Sequence, residues 1–122
     1  MPKSVLIVED NEYLRQILAS ILRLSGYEIV EAGNGAEAIE KAASAQPRLI
    51  LLDLNLPDMT GINVAGSIKR NPPSAHIPII ACSAFSNGEG REESLRAGMV
   101  DYLQKPISAA LIKAKIDQFI LP

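Results

Sequence analysis

Three short runs of this chain are almost wholly aliphatic: Val5–Val8 (VLIV), Leu49–Leu52 (LILL) and Ile77–Cys82 (IPIIAC). They are too short to span a bilayer, and each is bounded by polar or turn-forming residues. Strands apolar on both faces belong in the middle of a parallel sheet, where crossover helices cover both sides. Two further runs, Tyr27–Ala32 and Val100–Leu103, alternate apolar with polar, as edge strands do. That contrast between central and edge strands is the strongest constraint on the fold.

Helical spacing fills the intervals. Leu14, Ile17, Leu18, Ile21 and Leu22 mark one face of a first helix, which Ser25-Gly26 would stop. Asn34 followed three residues later by Glu37 is a variant of the capping box, and Ala38, Ile39, Ala42 and Ala43 follow it. A third helix runs from Ile62 through Ala65 and Ile68 to Pro72-Pro73. A last one, after Ser108, carries Ile112, Ile116, Phe119 and Ile120. The fourth, in SNGEGREESLRAG, offers only Leu95 and Ala97 as apolar anchors. It is expected to be loosely held and easily shifted, although composition alone fits a solvated surface helix equally well. Five β-α units with the first strand central give a doubly wound α/β fold. The expected order is 2-1-3-4-5, a flavodoxin-like (βα)5 sheet spanning residues 1–122 as one domain.

Composition narrows the function classes. With 48% hydrophobic and 21% charged residues the chain is globular, and 122 residues suffice for a single core. Its 12 basic and 14 acidic residues are well mixed, and the only adjacent basic pair is Lys69-Arg70, so neither nucleic acid nor membrane is an expected direct partner. Three tyrosines, two phenylalanines and no tryptophan leave little with which to stack bases. MPKSVLIVED is no secretory signal, and the single Cys82 lies inside an apolar run; cytoplasm is the default compartment. The lone His76, between PPSA and IPII, is expected in an exposed loop.

In a doubly wound sheet the reactive groups collect outside the carboxyl ends of the strands, at the switch point. Those ends carry Glu9-Asp10, Asp53, Ser83 and Lys105-Pro106. Three acids so crowded repel one another, and a bound dication reverses that logic. With only oxygen donors, Mg²⁺ is the expected ion. Helix capping by Glu9 or Asp10 is the alternative, but it leaves Asp53 and Lys105 unexplained.

Together these residues resemble the receiver domain of two-component response regulators. The likeness is carried by VLIVEDN at 5–11, DLNLPDMTG at 53–61, Ser83-Ala84 and DYLQKP at 101–106, and it covers essentially the whole chain. KSVLIVEDNE and the short, helix-ended form look most like single-domain receivers of the chemotaxis and cell-division type. The resemblance implies that Asp53 is the phosphoacceptor, taking its phosphoryl group from a phosphohistidine on a sensor histidine kinase or histidine phosphotransfer protein. It further implies that Mg²⁺ is ligated by Asp10 and Asp53, by Glu9 mostly through water, and by the Asn55 main-chain carbonyl. Lys105, on a cis Lys105-Pro106 loop, would pair with Asp53 and then with the phosphoryl oxygens. Ser83 would hydrogen-bond the phosphoryl group, and Tyr102 would swing inward in the active state. The aspartyl phosphate would decay by itself, more slowly if Phe85 shields it from water. The output surface would be the face of the fourth helix, fifth strand and fifth helix, acting on a downstream protein target.

Glu9 stands where aspartate is commoner in the family, and Ser83 where threonine is; both leave the chemistry intact. Met99-Val100 is more apolar than usual, which is assigned to local packing. A receiver module cut from a hybrid kinase or a larger regulator fits the same residues. A Mg²⁺-dependent aspartyl phosphatase would need an acid two residues after the nucleophile, and Asn55 stands there. The chain is therefore expected to mediate only its own phosphorylation and dephosphorylation. A flavin-binding role fails at EDNE, which is acidic where a phosphate needs donors.

Overall fold

The structure is a computed structural model that describes residues 3–83, 89–106 and 108–120. Five strands, β1 (Ser4–Val8), β2 (Glu28–Ala32), β3 (Leu49–Asp53), β4 (Ile79–Ser83) and β5 (Asp101–Gln104), alternate with five helices. These are α1 (Glu12–Leu24), α2 (Gly35–Ala45), α3 (Gly61–Arg70), α4 (Glu89–Arg96) and α5 (Ala109–Phe119). All strand pairs are parallel and the order is β2-β1-β3-β4-β5, as the strand composition requires. β3 and β4 are buried along their whole length and β1 along all but its first residue, whereas β2 and β5 are only partly covered.

Because successive strand residues point to opposite faces, the apolar runs feed two cores. One gathers Leu6, Val8, Ile50, Leu52, Ile79 and Ala81 under α2 and α3, and the other gathers Val5, Ile7, Leu49, Leu51, Ile80 and Cys82 under α1 and α5. Met99 joins the first core and Val100 stays exposed, so the apolar pair before β5 is half packing and half surface.

Several helix ends carry the expected signals. Asn34 caps α2 by accepting from the Glu37 N–H at 2.9 Å, and its amide donates to Glu37 Oε1 at 3.1 Å. Gly26 follows α1 with φ +94°, a left-handed conformation that glycine adopts without strain. Ser108 caps α5. α1 is capped by Asn11, whose side chain accepts from the Leu14 N–H at 3.0 Å. That removes capping as the reason for Glu9 and Asp10.

Three expectations are corrected. Leu95, taken as an anchor of α4, is exposed; the helix is held by Ser94, fully buried with its hydroxyl donating to the Gly90 carbonyl, and by the partly buried Ala97. Leu14 and Ile17, on the apolar stripe of α1, are also exposed, so the stripe is wider than the face it buries. Tyr27 is buried but precedes β2; its hydroxyl donates to Asp117 of α5, and its packing rather than strand pairing makes it apolar-facing.

Candidate functional site

The carboxyl ends of β1, β3, β4 and β5 converge as the strand order dictates. Glu9 follows β1 and is buried, with its N–H donating to the Ala32 carbonyl at 3.1 Å. Asp53 is the last residue of β3 and is 5% exposed. Asp10 lies at the surface. One carboxylate oxygen from each of Glu9, Asp10 and Asp53 falls within 4.8 Å of the others, and no other such cluster occurs among the described residues.

A buried carboxylate needs compensation. Lys105 supplies it to both buried acids: its Nζ lies 2.6 Å from Glu9 Oε1 and 3.2 Å from Asp53 Oδ2. The pairing with Asp53 was expected; the shorter bond to Glu9 was not, and the longer glutamate side chain makes it possible. Burial alone would lower the Lys105 pKa. The Glu9 hydrogen bond and the charges of Asp53 and Glu9 outweigh burial, so the pKa is raised and the ammonium stays charged. The backbone fixes the lysine too, because the Lys105 N–H donates to the Ser83 carbonyl at 2.7 Å; the Lys105-Pro106 bond that follows is cis.

The remaining oxygens are also engaged. Asn11 N–H donates to Glu9 Oε2 at 3.2 Å, and Asn55 N–H donates to Asp53 Oδ1 at 3.0 Å. Ser83 ends β4, fully buried, one register step past the Asp53–Cys82 pair. Tyr102 is already turned inward, 9% exposed, where a Cβ on Gly90 would lie 3.2 Å from its ring. Asp10, Asn55 and the loop to Thr60 line a shallow depression on the open side of the cleft. Cys82 is close enough to feel these charges, but burial pushes its thiol up to about 12, so it is not a nucleophile at neutral pH. His76 is exposed, as expected. Ala84 and Phe85 lie outside the described residues.

Gly61 closes the loop after Asp53 for a steric reason more than a torsional one. A Cβ there would sit 2.6 Å from Leu54 Cα and 3.0 Å from the Asp53 carbonyl oxygen. Two supporting residues escaped the sequence. Arg15 of α1 donates to the Glu9 carbonyl at 2.8 Å while pairing with Glu31 at 3.1 Å. Asp58 accepts from the Gly35 and Ala36 N–H groups at the start of α2, and the Gly35 bond foremost lowers its pKa. Both act on main-chain atoms, which leave no mark in residue spacing.

No described helix is long and apolar enough to cross a membrane. The family model of the response regulator receiver domain matches residues 5–117. The polar-differentiation response regulator DivK of Brucella anthropi is 43% identical over 109 residues, 88% of each chain. Among solved structures, the receiver domain of a sensor histidine kinase of Pseudomonas aeruginosa, with a magnesium ion coordinated in its active-site cleft, is 30% identical with a TM-score of 0.89 over 98% of both chains. The chemotaxis protein CheY4 of Vibrio cholerae is 27% identical with a TM-score of 0.92, covering 98% of this chain and all of that one. With the five-stranded order, the acid cluster and the lysine in place, the match over nearly the full length settles the family: the chain belongs to the response regulator receiver domains, the signalling modules of two-component systems.

Proposed function

We propose that Asp53 is the phosphoacceptor of this receiver and that Lys105, Ser83, Glu9, Asp10 and Asn55 are the groups that make it one. The observation that carries this is the buried Asp53 carboxylate, held by Lys105 at the end of a central strand beside two further acids. The donor set fits magnesium: three carboxylates with no histidine or cysteine among them, one of them on the open side of the cleft. When bound by Glu9, Asp10, Asp53 and the Asn55 main-chain carbonyl, the ion supplies positive charge against the phosphoryl oxygens.

The chain's own residues do the rest. An Asp53 carboxylate oxygen attacks phosphorus in line; the O–P bond forms as the P–N bond to the donor's histidine breaks, and the imidazole leaves with the electron pair. Lys105, whose Nζ already lies 3.2 Å from Asp53 Oδ2, follows the charge from the carboxylate to the phosphoryl oxygens. The Ser83 hydroxyl donates to one of those oxygens. Water attack later cleaves the O–P bond, returning the carboxylate and inorganic phosphate. Asn55 has no acid to offer a leaving group, so turnover on outside substrates is not expected.

Residues 1–122 act as one receiver domain in the cytoplasm. The phosphodonor is a sensor histidine kinase or a histidine phosphotransfer protein, and the output is contact of α4, β5 and α5 with a protein target. The likeness to polar-differentiation regulators supports a place among single-domain receivers of cell-division or chemotaxis type. Incubation with acetyl phosphate and Mg²⁺ should add one phosphoryl group by intact mass. No adduct on the wild type, or an adduct that persists in Asp53→Asn, would defeat the assignment.

A further inference from the structure

The loop after Asp53 is fastened at both its base and its tip. At the base, Gly61 N–H donates to the Leu54 carbonyl at 2.9 Å, and Asn55 pairs with Thr60 as an antiparallel bridge. At the tip, Asp58 reaches across to α2: Oδ1 accepts from the Gly35 N–H at 2.8 Å and Oδ2 from the Ala36 N–H at 3.0 Å. Met59 closes over the same turn, so tightly that a Cβ on Gly35 would come within 2.4 Å of its Cγ. α2 already has its own cap in Asn34. The clasp therefore constrains the loop as much as it serves the helix.

That loop carries Asn55, whose N–H holds Asp53 Oδ1 and whose main-chain carbonyl is the one assigned to the metal above. A free loop of this length samples many backbone states, and each dilutes the one that presents the carbonyl. Both oxygens of a charged carboxylate on the first turn of a helix make a firm anchor, since the N-terminal dipole favours the anion.

We propose that Asp58 is a positioning residue for the metal site, clasping the first turn of α2 so that the Asn55 main-chain carbonyl is held toward the cleft. The proposal rests on the functional reading above. Its test is a titration of the 122-residue protein with MgCl2 by calorimetry, without phosphodonor. D58A is expected to weaken Mg²⁺ binding about tenfold, the low end for residues that orient a metal ligand. D58N, which keeps the shape and one neutral acceptor, is expected between D58A and the wild type. Amide exchange at Gly35 and Ala36 should quicken in D58A. N34A serves as the control: it removes the cap of α2 without touching the loop, and should lower Tm while leaving Mg²⁺ affinity unchanged. Wild-type affinity in D58A, or equal weakening in N34A, would reduce Asp58 to a helix cap and overturn the proposal. A wild type that binds no Mg²⁺ would instead overturn the functional reading beneath it.

Discussion

Replacing Gly61 by alanine tests whether the floor of the site has room to spare. The added Cβ would lie 2.6 Å from Leu54 Cα, 2.7 Å from Leu54 Cδ2 and 3.0 Å from the Asp53 carbonyl oxygen. Carbon atoms in contact prefer about 3.5–4.0 Å, so roughly 1 Å of separation is missing. Two of the three atoms are main chain and cannot rotate away. Gly61 cannot retreat either, because its N–H donates to the Leu54 carbonyl at 2.9 Å. Overpacking costs about 1–3 kcal/mol, and with backbone on both sides the upper end applies. At about 2.1 cal/mol/K per residue, this chain has an unfolding entropy near ~0.26 kcal/mol/K, so a loss of about 3 kcal/mol lowers Tm by about 12 °C. Gly66, five residues along the same helix, supplies the contrast: its Cβ would meet only the mobile end of Arg70, at 3.2 Å. Gly66→Ala should stabilise by about 0.5–1 kcal/mol through helix propensity. Urea and thermal unfolding of both variants measure the difference. A Gly61→Ala protein within about 0.5 kcal/mol of the wild type would refute the steric account, since surface substitutions ordinarily fall in that range.

Two further expectations concern charge. Asp10 shares the acid cluster, but among the described residues Lys105 bonds Glu9 and Asp53 and not Asp10. Without divalent ions Asp10→Asn should therefore stabilise by about 1 kcal/mol, by relieving repulsion in a near-aqueous setting; with Mg²⁺, the ligand-dependent rise in Tm should vanish, and both are read by thermal melts with Mg²⁺ or chelator. Asp101 of β5 is partly buried, which alone would raise its pKa. The Lys115 ammonium at 2.8 Å and the Tyr102 N–H outweigh burial and hold it below 3.8. A lowered folded pKa gives stability that is complete above the ordinary carboxylate value and is lost as pH falls through the folded one. Lys115→Met should accordingly cost up to about 1 kcal/mol at pH 7, the upper end for a salt bridge near the surface, and the deficit should shrink below pH 4 in acid titrations of stability. A deficit independent of pH would point to lost packing of the lysine stem instead.

The sheet was legible because burial on both faces leaves a plain signature. Leu49–Leu52 and Val5–Val8 read as central strands, and they are. The four strand-end residues Glu9, Asp53, Ser83 and Lys105 group from the sequence, since topology alone brings those ends together. What escaped was of two kinds. Interactions with main-chain atoms, such as Arg15 on the Glu9 carbonyl or Asp58 on α2, have no partner residue to look for. Hydrophobicity points to Leu95 as an anchor of α4, but hydrophobicity does not fix burial, and Leu95 is exposed. The buried residue is Ser94, small enough to fit and satisfied by the Gly90 carbonyl. The reach of Lys105 to Glu9 also depends on one methylene that a pattern of acids does not weigh.

Parallel pairing of β1 with β3 has a consequence for scale. Neighbouring strands stand about 4.8 Å apart, a distance set by peptide hydrogen bonds and indifferent to side chains. Glu9 and Asp10 leave one of these strands just where Asp53 ends the other, and their oxygens lie within 4.8 Å of one another. The peptide lattice thus brings the two strand ends, and with them the three acids, into one cluster before any side chain contributes its own reach.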